Sequence, residues 1–409
     1  MEEKKLVPKL RFPGFTEPWE QHKLGEIVKI ERGGSPRPID NYITTDADGL
    51  NWIKIGDAPE QGRYIVHAAE KIKSLGLSKT RQVEPGDLIL SNSMSFGKPY
   101  IMGIHGCIHD GWLLIRNNQN IFDLKFLCNL LGTEQLHAQY RRLAAGSAVN
   151  NLNKELVSGT NVGVPSKAEQ LKIGQLFENL DEYITLHQRK LEHLKLKKKS
   201  LLQKLFPKEG EVNPELRFPG FTDPWEQRKL GEILVERNQQ FPMDCEYPLM
   251  AFIANEGVAP KGERYDRSAL VTDSENKLYK RTELGDFIYS SNNLETGSIG
   301  LNKFGNACIS PVYSIFKSTE IGDPKFLGRR LVRKDIINAM IRWRQGVIYG
   351  QWRIHESDFL KIIISIPLIE EQREIGMFLT KVDTLITLHQ RKLEHLQLLK
   401  KALLQQLFV

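Results

Sequence analysis

The sequence predicts a mixed α/β (α+β) protein in which one structural repeat occurs twice, giving two globular blocks and two long antiparallel coiled-coil helices. Three observations predict this fold. A leading segment near the start returns in the second half of the chain, a heptad-patterned segment also occurs twice, and the two intervening regions contain short apolar β-runs. With 409 residues the chain is long enough for two or three domains with separate cores.

The leading segment is the clearest repeat. It reads "LRFPGFTEPWEQHKLGEI" from Leu10 and "LRFPGFTDPWEQRKLGEI" from Leu216, and the 20-residue windows from Pro8 and Pro214 are identical at 17 positions. Each copy precedes one of the intervening regions. We therefore interpret it as the start of each globular block, and a partner present in two copies would meet the same surface twice.

The heptad-patterned segment closes each repeat. Residues 184–206 and 386–408 are identical at 19 of 23 positions. Apolar residues alternate in steps of four and three, which is typical of a coiled coil. The predicted stripe residues are Ile173, Phe177, Leu180, Ile184, Leu191, Leu194, Leu201 and Leu205 in the first helix, and Ile375, Leu379, Val382, Ile386, Leu393, Leu396, Leu403 and Leu407 in the second.

Polar residues interrupt each stripe at matching positions. They are His187 and Lys198 in the first helix and His389 and Lys400 in the second. Two interpretations stay open from sequence. The side chains either extend past a loosely packed seam to reach water, or they fix the register of the two helices.

The two middles, 28–160 and 234–345, indicate mixed α/β folds. Apolar β-runs such as "GDLILS" and "GDFIYSS" alternate with turn residues, and one helical stretch follows in each, from about 124 to 145 and from about 324 to 344. The two middles share this skeleton but few surface residues. That combination favours two modules that recognise different targets.

Composition restricts the class of protein. The chain has 57 basic and 50 acidic residues, and the middles carry 15 against 13 and 16 against 14, so a nucleic-acid footprint must be a local patch. The N-terminus has no apolar signal region and no run of 18 apolar residues exists, so we expect a cytoplasmic protein. Four cysteines without metal-ligand spacing predict free buried thiols and no metal site.

Catalytic signatures are missing from the sequence. It contains no phosphate-binding loop, no HExxH, no GxSxG and no glycine-rich dinucleotide fingerprint, and "GGSPRP" at 33–38 is interpreted as a turn. We predict no catalytic residue on this chain.

Clusters of arginine, lysine and amide side chains predict DNA contacts, because arginine and asparagine read base edges while lysine holds phosphates. The predicted DNA-binding residues in the first block are Arg32, Arg37, Ser91, Asn92, Ser93, Lys98, Arg141, Arg142, Asn150, Asn151 and Lys154. Those in the second are Arg237, Ser291, Asn292, Asn293, Arg329, Arg330, Arg333, Arg342, Arg344, Tyr349, Gln351 and Arg353.

At this point the chain resembles the DNA-specificity (S) subunit of type I restriction-modification enzymes. The resemblance is carried by "GSAVNNLNKELVSGTNVGVPSKAEQLKIGQLFENLDEYI" at 146–184 and by "IPLIEEQREIGMFLTKVDTLI" at 366–386, together with the paired "GD" strands and the doubled helices. It implies two target-recognition domains, each reading one half of a bipartite, asymmetric DNA target. It also implies that the chain itself has no enzymatic activity.

The resemblance further implies partners. Double-stranded DNA is the ligand, two modification subunits supply S-adenosylmethionine and methylate adenines, and restriction subunits use ATP and magnesium to translocate and cut. No cofactor is expected on this chain, and no membrane contact.

The predicted domain boundaries are 1–160 for the first recognition domain, 161–213 for the first helix and linker, 214–362 for the second recognition domain and 363–409 for the second helix. Two alternatives are a stand-alone restriction or methylation enzyme, which would need a nuclease or S-adenosylmethionine motif, and a coiled-coil scaffold without a DNA role. A scaffold would leave the two middles similar to each other.

Overall fold

The computed structural model describes residues 5–60, 62–92, 97–144, 152–208, 210–254, 256–260, 277–294, 296–348 and 351–409. Within it the chain divides into two compact units, and each contains residues from both repeats. Unit 1 is Met1–Leu191 with His389–Val409, and unit 2 is Glu192–Leu388. Each unit therefore contains one globular block, most of the helix that follows it, and the end of the other helix.

Unit 1 contains a mixed set of short strands and helices. Its strands are β1 Glu20–Lys23, β2 Lys29–Arg32, β3 Ile43–Thr44, β4 Leu50–Ile53, β5 Tyr64–Ile65, β6 Glu70–Ile72, β7 Arg81–Val83, β8 Leu88–Ser91, β9 Pro99–Met102, β10 Gly106–Ile108, β11 Trp112–Arg116 and β12 Asn161–Val164. Its helices are α1 Leu24–Ile27, α2 Leu124–Leu131, α3 Glu134–Ala144, α4 Lys154–Ser158 and the long α5 Lys167–Lys204, which continues into unit 2. Three short 3₁₀ turns, Ile39–Asn41, Ile55–Asp57 and Ser74–Lys79, complete it.

Unit 2 follows the same order. Its strands are β13 Glu226–Lys229, β14 Leu234–Glu236, β15 Gln240–Phe241, β16 Ala251–Ile253, β17 Gly257–Ala259, β18 Tyr279–Thr282, β19 Phe287–Tyr289, β20 Ile299–Leu301, β21 Ala307–Ile309, β22 Ser314–Ser318, β23 Gln345–Ile348, β24 Gln351–Arg353 and β25 Ile363–Ile366. Its helices are α6 Leu230–Ile233, α7 Pro324–Arg330, α8 Lys334–Arg342, α9 Glu356–Phe359 and α10 Ile369–Leu407, which ends in unit 1.

The two units share a sheet topology. In unit 1 the strand order is β2-β11-β8-β9-β5, beside a second sheet β3-β6-β4-β10-β7 and the pair β1-β12. Unit 2 repeats the first sheet as β14-β22-β19-β20 and the pair as β13-β25, and adds β15-β18-β21, β16-β17 and β23-β24. Parallel pairs occur next to antiparallel ones in unit 1, so the predicted mixed α/β class is confirmed.

The repeated "GD" dipeptides directly precede a central strand in each unit. Gly86 and Gly285 have φ values of 93° and 92°, a conformation that favours glycine. The next residue, Asp87 or Asp286, accepts a hydrogen bond from the backbone N–H three positions earlier at 3.0 or 2.7 Å. The repeated dipeptide is thus a turn requirement.

The single helical stretch predicted after each β-region is wrong in detail, because each stretch is two helices. In unit 1, α2 ends before Gly132 and Thr133, and the hydroxyl of Thr133 accepts a bond from the N–H of Leu136 at 3.4 Å, which caps α3. In unit 2 the break falls between Arg330 and Lys334. The residues that follow α8 form the β23-β24 hairpin.

Repeated residues attach each leading segment to the start of its long helix. Arg11 donates two hydrogen bonds to Glu169 at 2.9 and 2.7 Å, and Arg217 donates two to Glu371 at 2.9 and 2.5 Å. Both carboxylates are 1 % exposed. The repeated arginine of the leading segment therefore forms the same buried ion pair in each unit.

The core of each unit is completed by the end of a long helix. Phe408 lies 5.3 Å from Phe126 and 6.2 Å from Trp19, measured between ring centroids, in unit 1. Phe206 lies 5.3 Å from Phe326 in unit 2. Leu205, predicted as a helix position, follows the last residue of α5 and is also buried in that core.

The apolar stripe follows the predicted positions. The buried stripe residues are Ile173, Phe177, Leu180, Leu191 and Leu407 in unit 1 and Leu205, Ile375, Leu379 and Val382 in unit 2, while Ile184, Leu194, Leu201, Ile386, Leu393, Leu396 and Leu403 are half-buried. In unit 1, Asp181 contacts Lys400 and His187 contacts His389. Residue numbers therefore rise along α5 as they fall along α10, which confirms the antiparallel pairing there.

The polar residues in the stripe have partners. Lys400 forms an ion pair with Asp181 in unit 1, and Lys198 forms one with Asp383 at 2.6 Å in unit 2. Burial lowers the pKa of Lys400, and the Asp181 charge acts in the opposite direction. A lysine that merely reached water would need no such carboxylate, so these contacts favour the register interpretation.

Cys107, Cys128 and Cys308 are buried free thiols, and burial raises the pKa of Cys107 to about 11. Cys245 is exposed, so the expectation of buried thiols is wrong for this residue, which lies in the loop before β16. Among the described residues no helix is long and apolar enough to cross a membrane.

Candidate nucleic-acid interface

In unit 1 several predicted residues meet around Asp110, in the loop between β10 and β11. The Asp110 carboxylate accepts a hydrogen bond from the Ser35 hydroxyl at 2.9 Å. Its backbone carbonyl accepts bonds from the Asn92 amide at 2.7 Å and from Arg32 Nε at 3.4 Å. The ends of β2 and β8 are thereby joined to this loop.

The "GGSPRP" loop packs tightly against the same place. A side chain on Gly33 would lie 2.1 Å from the His109 carbonyl oxygen, and one on Gly34 would lie 2.4 Å from that of Lys79. The N–H of Gly33 donates to the Trp112 carbonyl at 2.9 Å. These glycines permit a close backbone contact, which agrees with the predicted turn.

Arg37 extends from this loop into solvent. Its side chain is 82 % exposed, and Nη2 lies 4.0 Å from Asp110 Oδ2. No hydrogen bond joins it to another of the described residues of unit 1. Its guanidinium donors are therefore available to a ligand.

Further cations border a groove of about 420 Å³ that runs along β2. Lys29, Arg32, Arg81 and Lys154 line it, and Glu31 lies among them. Lys154 is exposed at the start of α4. Glu31 pairs with Lys29 at 3.1 Å and with Arg81 at 3.7 Å, so the groove is a candidate basic patch in which part of the positive charge is already neutralised.

Other predicted residues of unit 1 are engaged in the fold. Ser91 is fully buried and Asn92 is 4 % exposed. Lys98 donates to the Glu60 carbonyl at 3.2 Å, and Arg141 pairs with Glu134. Arg142 is exposed, and Ser93, Asn150 and Asn151 lie outside the described residues.

In unit 2 the equivalent region contains a different cluster. Arg281 on β18 lies between two aromatic rings, 4.4 Å from the Phe241 centroid and 4.3 Å from the Tyr247 centroid, and bonds Asp244 at 2.5 Å. Arg237, which aligns with Arg32, instead forms a bidentate pair with Glu283 at 2.9 Å. The sequence did not single out Arg281, because its aromatic neighbours come from β15 and the loop that follows it.

The arginines of α7 and α8 have internal partners. Arg329 bonds Asp383 at 2.9 Å, and Arg330, 5 % exposed, bonds Asp335 at 2.7 Å. Arg333 donates to the Leu202 carbonyl at 2.7 Å, and burial lowers its pKa. These contacts indicate a role in the fold of unit 2, and a DNA contact for these three residues stays a prediction.

Three of the remaining predicted residues of unit 2, Ser291, Asn292 and Asn293, lie in the loop after β19. The hydroxyl of Ser291 accepts a bond from the N–H of Ile354 at 3.1 Å. Exposed residues are Asn292, Asn293, Arg342 and Arg353, while Arg344 is half-buried and has a partner. Tyr349 and the side chain of Gln351 lie outside the description.

No group of three or more histidine, cysteine, aspartate or glutamate residues in the described part of the chain could hold a metal ion.

The comparisons with known proteins cover almost the whole chain. The family profile described as "Type I restriction modification DNA specificity domain" matches residues 16–196 and 222–398. Two curated relatives from Methanocaldococcus jannaschii match over their length: the putative type I restriction enzyme MjaX specificity subunit is 24 % identical, with 95 % of this chain and 92 % of the relative covered, and the MjaVIII specificity subunit is 23 % identical, with 97 % and 92 % covered.

Solved structures agree in fold. The type I restriction-modification S subunit from M. genitalium superposes with a TM-score of 0.61 at 14 % identity, covering 99 % of each chain. A chain from a structure described as the assembly and conformational transition of the type I restriction-modification system gives 0.51 at 18 % identity, covering 97 % of this chain and 98 % of that one. The chain therefore belongs to the type I restriction-modification DNA specificity family, as a non-catalytic specificity subunit with two target-recognition domains.

Proposed function

We propose that this subunit binds a bipartite, asymmetric double-stranded DNA target, with each unit reading one half. The observation that carries the proposal is that the two units have the same sheet topology but carry different side chains on it. Unit 1 exposes Arg37 beside Asp110, whereas unit 2 has Arg281 packed between two aromatic rings and bonded to Asp244. Different donors on equivalent scaffolds are expected to select different base sequences.

The proposed partners are two copies of a modification subunit, which bind S-adenosylmethionine and methylate adenines in the target. Restriction subunits that use ATP and magnesium would then translocate and cut unmodified DNA. This subunit supplies the sequence specificity and contributes no reacting group.

Exposed apolar residues on the long helices support two equivalent docking surfaces. Large apolar side chains recur at matching positions of the two repeats and remain exposed, as two equivalent partner surfaces would require. They are Tyr183, Leu186 and Leu398 in unit 1 and Leu385, Leu388 and Leu196 in unit 2.

The test is a block exchange in the complex with its modification subunits. Residues 234–345 are replaced by a copy of residues 28–145, so that both units carry the first block, and the methylated sequence in cells is determined by methylome sequencing. The expected result is a change from an asymmetric to a palindromic target. An unchanged target would mean that one unit does all the reading, and absence of sequence-specific methylation by the wild-type complex would reject the proposal.

A further inference from the structure

We infer that Arg37 reads a guanine in the half-site of unit 1, with Asp110 as its positioning residue. The inference rests on the proposed function, since it assigns one base contact within the DNA target. It starts from Arg37 itself, whose exposed guanidinium extends from the predicted loop and forms no hydrogen bond to the described residues, unlike several arginines of unit 1. Arg63, Arg116 and Arg141 all bond carboxylates directly.

The loop that carries Arg37 is held in place by the three residues at 33–35. The Gly33 N–H and the Gly34 N–H donate to the carbonyls of Trp112 and Ile108 at 2.9 and 3.2 Å. The Ser35 hydroxyl bonds the Asp110 carboxylate. A base-reading side chain on so fixed a loop loses little backbone freedom on binding, which favours affinity.

Asp110 makes a base edge a better ligand for Arg37 than a phosphate. Its second carboxylate oxygen lies 4.0 Å from the guanidinium and partly neutralises it. A phosphate approaching Arg37 would also meet this negative charge, whereas a base edge is uncharged. A guanidinium fork matches the O6 and N7 acceptors of guanine in the major groove.

The neighbouring cations are suited to binding phosphates. Lys154 is exposed on the border of the basic groove. It has no carboxylate within ion-pair distance among the described residues. Phosphate contacts of this kind hold the domain on DNA without selecting a sequence.

The Arg37 arrangement is specific to unit 1. The repeated strand residues Cys107 and Cys308 align, and Asp110 then corresponds to Pro311. The double glycine after Arg32 corresponds to Asn238 and Gln239 after Arg237. Because unit 2 lacks both the acid and the tight loop, this contact distinguishes the two half-sites.

The experiment uses the full chain with its modification subunits. Binding is measured by competition with DNA targets in which every position of the wild-type motif is varied in turn. Arg37→Ala should remove the preference for guanine at one position of one half-site, by about tenfold to a hundredfold. The other half-site and the slope of affinity against salt concentration should stay unchanged.

Two variants separate the roles. Arg37→Lys keeps the charge but lacks the fork, so it should weaken the guanine preference less than Arg37→Ala does. Asp110→Asn keeps an acceptor for Ser35 and should weaken the preference at the same position only. The matched control, Lys154→Ala, should weaken binding to all sequences and reduce the salt slope by about one.

The outcomes distinguish this inference from the function it rests on. If the wild-type complex shows no sequence preference, the proposed function fails. If the wild type reads a bipartite target and Arg37→Ala reads the same one, only the inference fails. A reduced salt slope in Arg37→Ala with unchanged preference would assign Arg37 to a phosphate and overturn it.

Discussion

Asp181 in unit 1 and Asp383 in unit 2 occupy equivalent positions in the repeat, yet each obtains its arginine from a different place. Asp181 bonds Arg63, which precedes β5, whereas Asp383 bonds Arg329 on α7. The α2 residue that aligns with Arg329 is Asn129, and it accepts a hydrogen bond from Arg63 at 2.7 Å. Each carboxylate also pairs with the equivalent lysine, Lys400 or Lys198, so the lysine contact is shared between the units while the arginine contact is not.

The comparison separates what the repeat preserves from what it leaves free. The preserved contacts lie where the leading segment meets the long helix, as in the pairs Arg11–Glu169 and Arg217–Glu371. The Asp181 and Asp383 sites lie where the helix meets the divergent block. There, the local sequence of each block decides how the same charge is neutralised.

The largest effect is expected from the aromatic residues at the helix ends. Phe408→Ala should lower the free energy of unfolding of unit 1 by about 3–5 kcal/mol, because a buried aromatic side chain is lost from the core. Phe206→Ala should do the same to unit 2. Hydrogen–deuterium exchange resolved by peptide reports which unit loses protection.

The exposed Leu398→Ala is the control and should change stability by no more than about 0.5 kcal/mol. Equal loss of protection in both units, from either phenylalanine variant, would mean that the units unfold together and would remove the basis for comparing them.

A transplant of the arginine should give an intermediate effect. Arg63→Ala leaves Asp181 and the Asn129 side chain with fewer partners and should cost unit 1 about 1–3 kcal/mol. Adding Asn129→Arg supplies the cation from the position used in unit 2, so the double variant should recover part of the loss. Chemical denaturation of the two variants and the wild type measures the recovery.

Asn129→Arg alone should destabilise, because it introduces a second cation into a site already filled by Arg63. If the double variant is no more stable than Arg63→Ala, the two sites are not interchangeable and the comparison holds only at the level of the backbone.

The smallest effect concerns the histidine pair of unit 1. His187 Nδ1 lies 2.8 Å from His389 Nδ1, and burial followed by the charge of His389, Lys392 and Lys190 lowers the pKa of His187. The unfolded chain then binds a proton more readily than the folded one. Stability contributed by neutral His187 is present above the unfolded pKa, near 6.5, and should fall as the pH drops below it.

His187→Gln should flatten this loss, measured as unfolding midpoints between pH 5 and pH 8. His395→Gln, at an exposed position of α10, is the control. An unaltered pH profile in His187→Gln would show that the pair does not contribute to the acid sensitivity of unit 1.

Most of the fold could be predicted from the sequence, because the repeated segments identify the two blocks and the two long helices. The stripe residues follow from a spacing that a coiled-coil helix must obey, so Ile173 and Ile375 were placed correctly from periodicity alone. Contacts between distant segments were not predictable in that way. Asp110 bonds Ser35 from 75 positions away, and nothing in the spacing of either residue indicates it.

The arginines of α7 show the same limit for residues that the sequence did single out. A run of basic residues looks like a nucleic-acid surface in sequence, because charge is visible there and its partners are not. In the structure Arg329 and Arg330 are bonded to Asp383 and Asp335. A single exposed residue such as Arg37 does not stand out in the composition, although its guanidinium donors are available to a ligand.

The exchange of helix ends between the two repeats also sets an order of assembly during synthesis. The ribosome makes the residues that complete unit 2, such as Phe206, before it makes the rest of that unit. Unit 1 instead needs His389–Val409, and the whole of Glu192–Leu388 is translated in between. At ordinary elongation rates the first unit therefore waits roughly 10–40 s with its aromatic core open, exposed to aggregation or chaperones, while the second can close as soon as it emerges.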